Sequence, residues 1–265
     1  MEKFGFIGMG NMGTAMLKGA VKAFNKENII FTRKNSEKMQ EITRETGVEH
    51  VSNNRECVKN AKYVVLAVKP QMYQEVLTDI KDEVTAEHII ISIAPGITID
   101  SISEKLGSKA RVVRAMPNTP ALVGEGMTGI CYDEKLFTEE EKGRIKEFFE
   151  SFGKVMVISE KIMSSVVCAS GSSPAYVYMF IEALADGAVK YGMPRNMAYE
   201  FVAQTVLGSA KMVLETKEHP GKLKDNVCSP GGTTIAGVAA LEENGFRNAV
   251  IKACDKCYEK CESIK

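Results

Sequence analysis

Residues Gly8-Met9-Gly10-Asn11-Met12-Gly13 form a G-x-G-x-x-G run between an apolar segment, Phe4 to Ile7, and a stretch with helical periodicity. Taken alone such a run is weak evidence, since a glycine-rich turn can be purely structural. Its force comes from context: strand before, helix after, at the head of an α/β pattern. In a strand–turn–helix of this kind the first glycine permits the tight turn. The second lets backbone approach a pyrophosphate, and the third lets helix pack closely on strand. The helix N-terminus then turns unpaired N–H groups and a partial positive charge toward phosphate.

The rest of the first half repeats the alternation. Short apolar runs recur at 4–7, 29–31, 63–68, 89–93, 112–115, 127–132 and 155–158. Amphipathic segments lie between them, one with Met12, Ala15, Met16, Gly19, Ala20 and Ala23 on a single face. Another opens at Thr138 with Glu141 three residues on, the spacing of a capping box. The pattern predicts an α/β, Rossmann-like dinucleotide-binding domain over residues 1–158, with a mainly parallel sheet. After Ser159 the strand signals cease, and residues 159–265 predict an all-α domain. Pro174 and Pro194 suit first helical turns, Gly192 stops the helix between them, and His219-Pro220-Gly221 breaks the long periodic stretch that begins at Pro194. Two further helices are expected, from about Thr234 to Asn244 and from Phe246 to the C-terminus. The run Ala175-Tyr176-Val177-Tyr178-Met179-Phe180-Ile181 is apolar on most sides of a helix and predicts a subunit interface. At 265 residues the chain has length for both domains.

Lysine plus arginine equals aspartate plus glutamate at 34 each, which gives no electrostatic reason to expect nucleic acid or an anionic membrane as partner. No apolar run approaches the roughly 18 residues of a membrane span, and Met1-Glu2-Lys3 leads directly into a strand pattern without a signal peptide. The expected location is the cytoplasm. The seven cysteines, an odd number, then read as reduced thiols. Cys254, Cys257 and Cys261 have the spacing of one helix face, and with no fourth ligand near them no metal is expected.

The tip of the second strand speaks to the dinucleotide. An acidic residue there would hold the ribose 2′-hydroxyl of NAD, but the chain reads Phe31-Thr32-Arg33-Lys34-Asn35-Ser36. Arg33 and Lys34 can pair with a 2′-phosphate, with Thr32 or Ser36 adding a hydroxyl donor. NADPH is therefore the expected cofactor, with NADH as the second choice. The plainer alternative leaves both cations as solvated loop residues. Ala67-Val68-Lys69-Pro70 and Ala94-Pro95-Gly96 close the third and fourth long strand patterns and should flank the cofactor, since ligands bind outside the carboxyl ends of parallel strands. Lys69 suits phosphate or substrate, or simply the surface. On the helical side, the loop from Asp225 to Thr234 precedes a helix with Ser229-Pro230-Gly231-Gly232-Thr233-Thr234. It can aim several backbone N–H groups at a small carboxylate, or serve as an ordinary N-cap.

Five segments, Ile7 to Gly13, Ala67 to Pro70, Arg114 to Pro120, Gly171 to Tyr176 and Ser229 to Thr234, occur in an order and spacing that resemble pyrroline-5-carboxylate reductase from about residue 3 to residue 260. The resemblance implies reduction of L-1-pyrroline-5-carboxylate to L-proline with NAD(P)H, the last step of proline biosynthesis. It implies cofactor contacts from Ile7, Gly8, Met9, Gly10, Asn11, Met12, Asn54, Ala67, Val68, Lys69 and Pro70. It further implies a substrate pocket of Val227, Gly231, Gly232, Thr233 and Thr234, with Thr234 nearest the ring nitrogen. It makes the helical domain a homodimerisation domain, with rings of dimers as a further level. Ser173 departs from the family's usual glycine, and its hydroxymethyl group should narrow the pocket slightly.

An imine nitrogen arrives partly protonated, so hydride transfer does not wait for a strong acid, and positioning carries the catalysis. Thr234 is the expected catalytic residue, as hydrogen-bond partner of that nitrogen. Two other functions fit the cofactor half: a dehydrogenase of the 3-hydroxyacid type, and a non-catalytic NADPH sensor. The first needs an acid/base lysine that Gly171-Ser172-Ser173-Pro174 does not supply, and the second has no use for the anion-binding loop.

Overall fold

In the computed structural model, which describes residues 3–107 and 110–264, the chain divides into two compact units. The first runs to Ser172 and takes back the residues from Cys257 on, and the second is Ser173–Lys256. The first is built on an eight-stranded sheet of β1 (Phe4–Ile7), β2 (Ile29–Thr32), β3 (Glu49–His50), β4 (Tyr63–Leu66), β5 (Ile89–Ser92), β6 (Arg111–Met116), β7 (Gly126–Cys131) and β8 (Gly153–Val157), in the order β3-β2-β1-β4-β5-β6-β7-β8. All neighbours are parallel except β6 and β7. Four of these strands, β1, β2, β4 and β5, are buried at every residue, which is why they read as unbroken apolar runs rather than alternations.

Helices cover both faces: α1 (Asn11–Ala23), α2 (Ser36–Thr46), α3 (Asn54–Lys59), α4 (Tyr73–Ile80), α5 (Ile99–Leu106) and α6 (Glu139–Glu150). Two separate apolar cores result. Phe4, Met16, Phe31, Tyr63 and Phe148 anchor one, with Phe4 stacked on Tyr63 and on Phe148 at ring separations of 4.7 and 4.6 Å. Ile7, Val64, Tyr73, Ile80, Ile90 and Ile102 lie in the other. The strand order has one decisive consequence. The chain leaves β1 toward β2 and β3 and then crosses to β4 on the other side, so the connections diverge at the carboxyl ends of β1 and β4 and open a crevice there.

The opposite side of the sheet is locked by charge. Glu141 is buried in the first turn of α6, where Thr138 and Glu141 form the expected capping box. Both Glu141 carboxylate oxygens accept from Arg111 Nη1 at 2.8 Å, and Lys62 Nζ lies 3.0 Å from Oε1. Burial alone would raise this carboxyl's pKa, but the Thr138 N–H, Lys62 and Arg111 outweigh it and hold the group at about 2, against an ordinary 4.5. Its stabilising contribution is therefore complete above pH 4.5 and is lost as pH falls toward 2. Glu141→Gln leaves Arg111 facing a neutral amide and is expected to cost about 2 kcal/mol. Urea unfolding at pH 7 checks this; the deficit should shrink as both proteins are taken toward pH 3, and an equal deficit at both pH values would contradict the assignment.

The second unit is helical throughout its described elements: α8 (Ser173–Lys190), α9 (Arg195–Thr216), α10 (Pro220–Val227), α11 (Thr233–Glu243) and the first part of α12 (Phe246–Glu262). Its core is small, with Ala185, Ala198 and Val202 buried between α8 and α9. The apolar run expected at an interface leaves Tyr178 and Met179 at 59% and 68% exposure within one chain, and α11 buries no residue at all. Pro220, expected only as a breaker, is also the first residue of α10, with the His219 ring accepting the Gly221 N–H at 3.0 Å.

The boundary expected at 158/159 marks where the strands end, but the compact division falls at Ser172/Ser173. The reason is packing: Met163 in a short helix, α7 (Met163–Val166), and Val167 just after it join Met116 and Cys131 of the sheet in one apolar cluster. Cys261 of α12 completes that cluster, which returns the end of the chain to the first unit. Cys261 is thus a small buried hydrophobe, and its neighbour on the same face, Cys257, packs at the cluster's margin. Among the described residues no helix is long and apolar enough to cross a membrane.

Candidate active site

The crevice at the β1/β4 switch point holds a cavity of about 310 Å³ lined by Ile7, Gly8, Met9, Gly10, Arg33, Lys34, Asn35, Asn54, Ala67, Val68, Lys69, Met72 and Val76. A second hollow, of about 510 Å³, shares Gly10, Ala67, Val68 and Lys69 with it. It continues past Asn11 and Met12 to Ile93, Ala94, Pro95, Met116, Pro117, Val167, Gly171 and Ser172. The first-half residues expected at the cofactor therefore line one continuous groove, apart from Pro70, which lines neither hollow and opens a 3-10 turn at Pro70–Met72.

The three glycines of the loop divide the work visibly. Gly8 has φ +91°, and a Cβ there would lie 2.5 Å from Val68 Cγ1, so both conformation and packing demand glycine. Its N–H donates to the Thr32 carbonyl at 3.0 Å. A Cβ on Gly13 would meet the Gly8 carbonyl oxygen at 2.7 Å, which is how α1 comes so close to the turn. Gly10 differs. Its backbone is extended, φ −77° and ψ −170°, and a Cβ on it would meet nothing within 4 Å. Among the described residues nothing requires glycine at position 10. Gly10 is also the N-cap of α1 and makes no side-chain cap, and the helix's first turn has no acidic residue. The N–H groups at this end keep their capacity for an external anion.

At the far wall, Arg33 Nη1 donates to the Met9 carbonyl at 3.1 Å, which fixes a guanidinium over the glycine loop. Lys34 Nζ donates to Glu75 Oε1 at 2.8 Å across the mouth. Asn54 Nδ2 donates to Asp79 Oδ2 at 3.0 Å, and the other oxygen of that carboxylate accepts from Arg55 Nε. Thr32 does not offer the hydroxyl expected of it, because it is 2% exposed within the sheet. Asn35 stands in the lining instead and caps α2 by accepting the Lys38 N–H at 2.9 Å. Tyr73, fully buried, donates to the Leu66 carbonyl at 2.9 Å and pairs with Ser92 Oγ at 3.0 Å, so the ends of β4 and β5 stay in register behind the groove.

The residues expected at the substrate, Val227, Gly231, Gly232, Thr233 and Thr234, belong to the second unit. Val227 ends α10 and is exposed, Gly231 has φ +68°, and Gly232 is the N-cap of α11. The loop does supply the N-cap of α11, but through Gly232, without a side-chain cap, while Thr233 and Thr234 lie inside the first turn with exposed side chains. A helix start of this kind presents N–H donors and two hydroxyls on one surface.

Residues 160–264 match the family model described as pyrroline-5-carboxylate reductase dimerisation, and residues 3–96 match one described as NADP oxidoreductase, coenzyme F420-dependent. The chain is 47% identical to a pyrroline-5-carboxylate reductase of Escherichia coli over 99% of its own length and 98% of the relative's. The chain belongs to the pyrroline-5-carboxylate reductase family. The pyrroline-5-carboxylate reductase of Methanosarcina acetivorans is 42% identical, with 97% of each chain covered. The crystal structure of a Plasmodium falciparum pyrroline carboxylate reductase with NADP bound superposes with a TM-score of 0.88 at 36% identity, covering 99% of this chain and 98% of that one.

Several groove residues of this pyrroline-5-carboxylate reductase family member carried no role in the sequence-based expectations. Met116 and Pro117 sit at the tip of β6. Val167, Gly171 and Ser172 come from a π-helical turn, Val167–Gly171, and the residue that follows it. That turn is pinned by Asn118, which is 8% exposed. Its Nδ2 donates to the Ser170 carbonyl at 3.2 Å and its Oδ1 accepts the Met127 N–H at 2.9 Å. Buried Asn118 was already present in the Arg114 to Pro120 segment, and an amide between two prolines was the available signal. Ser173, the departure from the family pattern, is the first residue of α8. Two of the buried thiols are held in the neutral form. Burial, with the Glu56 charge second, pushes Cys57 up to about 12. Burial and Glu160 push Cys131 to about 12 as well, Arg114 opposing them only in part.

Proposed function

We propose that the groove of the first unit holds NADPH, with NADH as a second donor, and that the chain reduces L-1-pyrroline-5-carboxylate to L-proline. The observation that carries the cofactor assignment is Gly10. It is a glycine that neither backbone strain nor internal packing explains, set at an uncapped helix start, and the space it leaves suits a pyrophosphate against the backbone. In this reading Ile7, Gly8, Met9, Gly10, Asn11 and Met12 hold the diphosphate. Arg33 and Lys34 face the 2′-phosphate, Asn54 the ribose, and Ala67, Val68, Lys69 and Pro70 the remainder of the dinucleotide. When bound, the nicotinamide supplies a hydride for the imine carbon.

The chain's own residues then bind and orient the imine. The N–H groups that begin α11, with Gly231 and Gly232 leaving room for close approach, hold the substrate carboxylate, and Val227 packs against the ring. Thr234 Oγ1 hydrogen-bonds the ring nitrogen, donating to the imine or accepting from the iminium, and relays the proton that completes the amine. No histidine or carboxylate lies between Asn226 and Thr234, which supports a mechanism resting on position and a pre-existing iminium charge. The exposed apolar surfaces of α8 and α11 support a homodimer through the helical unit, since faces of this kind are normally covered. A ring of dimers is the further assembly we assign to the family pattern. Seven free thiols support a reducing, cytoplasmic setting.

The cofactor assignment is tested by Arg33→Ala and Lys34→Ala. Each is expected to raise the KM for NADPH about tenfold, as loss of one charge-assisted contact of 1.5 kcal/mol or so would, while the KM for NADH stays within twofold. Parallel rises for both cofactors would remove the 2′-phosphate from these residues.

A further inference from the structure

We infer that Glu75 is a specificity-determining residue for the choice between NADPH and NADH, an inference that rests on the 2′-phosphate reading above. The tip of β2 lacks the carboxylate that usually holds a ribose 2′-hydroxyl. The structure brings one to Lys34 from α4, whose Val76 lines the cavity although Glu75 itself does not. Glu75, in the first turn of α4, accepts from Lys34 Nζ at 2.8 Å, and the two side chains are 65% and 70% exposed. Of the other carboxylates around these cations, Asp79 is engaged by Asn54 and Arg55, and Glu41 and Glu45 line a separate hollow with Arg33, Glu45 being paired with Lys18. Of the two cations at the mouth, Arg33 is held over the glycine loop by the Met9 carbonyl, whereas Lys34 is shared with an acid.

That arrangement sets two opposing demands on one lysine. A 2′-phosphate carries close to two negative charges at neutral pH. To gain Lys34 it must displace Glu75 and then tolerate a carboxylate beside it. A ribose with a free 2′-hydroxyl makes no such demand, and the Lys34–Glu75 pair stays closed. Because the pair is exposed, opening it is cheap, so Glu75 tempers the NADPH preference without abolishing it. Glu75 thereby keeps the second donor usable.

The test is binding of 2′,5′-ADP and 5′-AMP, which differ only in the 2′-phosphate, to the full-length wild-type protein and to Glu75→Gln and Lys34→Ala. Glu75→Gln is expected to raise the 2′,5′-ADP to 5′-AMP affinity ratio by about fivefold, the upper range for release of an exposed ion pair. In turnover, kcat/KM for NADPH relative to NADH should rise in the same direction. The gain should disappear in the Lys34→Ala background, where there is no cation to release, and shrink at high salt. A Glu75→Gln ratio at or below the wild-type value, with Lys34→Ala still lowering it, would overturn the inference and leave the phosphate site standing. If Arg33→Ala and Lys34→Ala both leave the ratio unchanged, the phosphate reading fails and takes the inference with it.

Discussion

Gly10→Val is expected to fold normally and to lose NADPH by ~10²-fold in affinity, about 2.7 kcal/mol. The two halves of that expectation come from different observations. Normal folding follows from an extended backbone that any residue adopts and from open space around the missing Cβ. The lost affinity follows because that same space is where a pyrophosphate would approach the N–H groups of α1. Gly8→Val is the contrasting control: φ +91° and a contact of 2.5 Å with Val68 make it a folding defect first. Equilibrium unfolding in urea and a fluorescence titration with NADPH separate the two. Near-wild-type affinity in a folded Gly10→Val protein would mean that the cofactor does not use this loop.

Thr234→Ala is expected to lower kcat by ~10²-fold or more, the scale for losing a positioned proton-transfer group, with little change in NADPH affinity. Thr234→Ser keeps the hydroxyl and should recover most of the rate. The side chain is exposed in the first turn of α11 and caps nothing, so a stability loss is not expected to cloud the measurement. If the alanine and serine variants were equally slow, the methyl group rather than the hydroxyl would matter. Wild-type turnover in Thr234→Ala would end the proton role outright.

How far the sequence foretold this molecule depended on whether a feature was local. The glycine loop was legible because strand, turn and helix are contiguous and each glycine answers a local demand. The buried strands announced themselves as apolar runs. β3 did not, since Glu49 and His50 are both exposed at an edge and carry no hydrophobic signal. The π-helical turn at Val167–Gly171 was hidden because its residues read as ordinary helix, and its tie to Asn118, some fifty positions earlier, is a tertiary contact. Thr32 looked available at a strand tip, yet the neighbouring elements bury it. The compact division falls later than the end of the strand pattern because helix and strand periodicity does not say which core a helix packs on, and Met163 and Cys261 both pack against the sheet. The Lys34–Glu75 pair joins residues 41 apart, beyond any spacing rule. Local grammar thus wrote most of the groove at the β1/β4 switch point, whereas the Lys34–Glu75 pairing emerged only from tertiary contact.

The most direct measurement is turnover of the purified chain with L-1-pyrroline-5-carboxylate, following the loss of NADPH absorbance and identifying the product. Cofactor oxidation in step with formation of L-proline is the expected result. Tight NADPH binding with no proline formed would contradict the central claim.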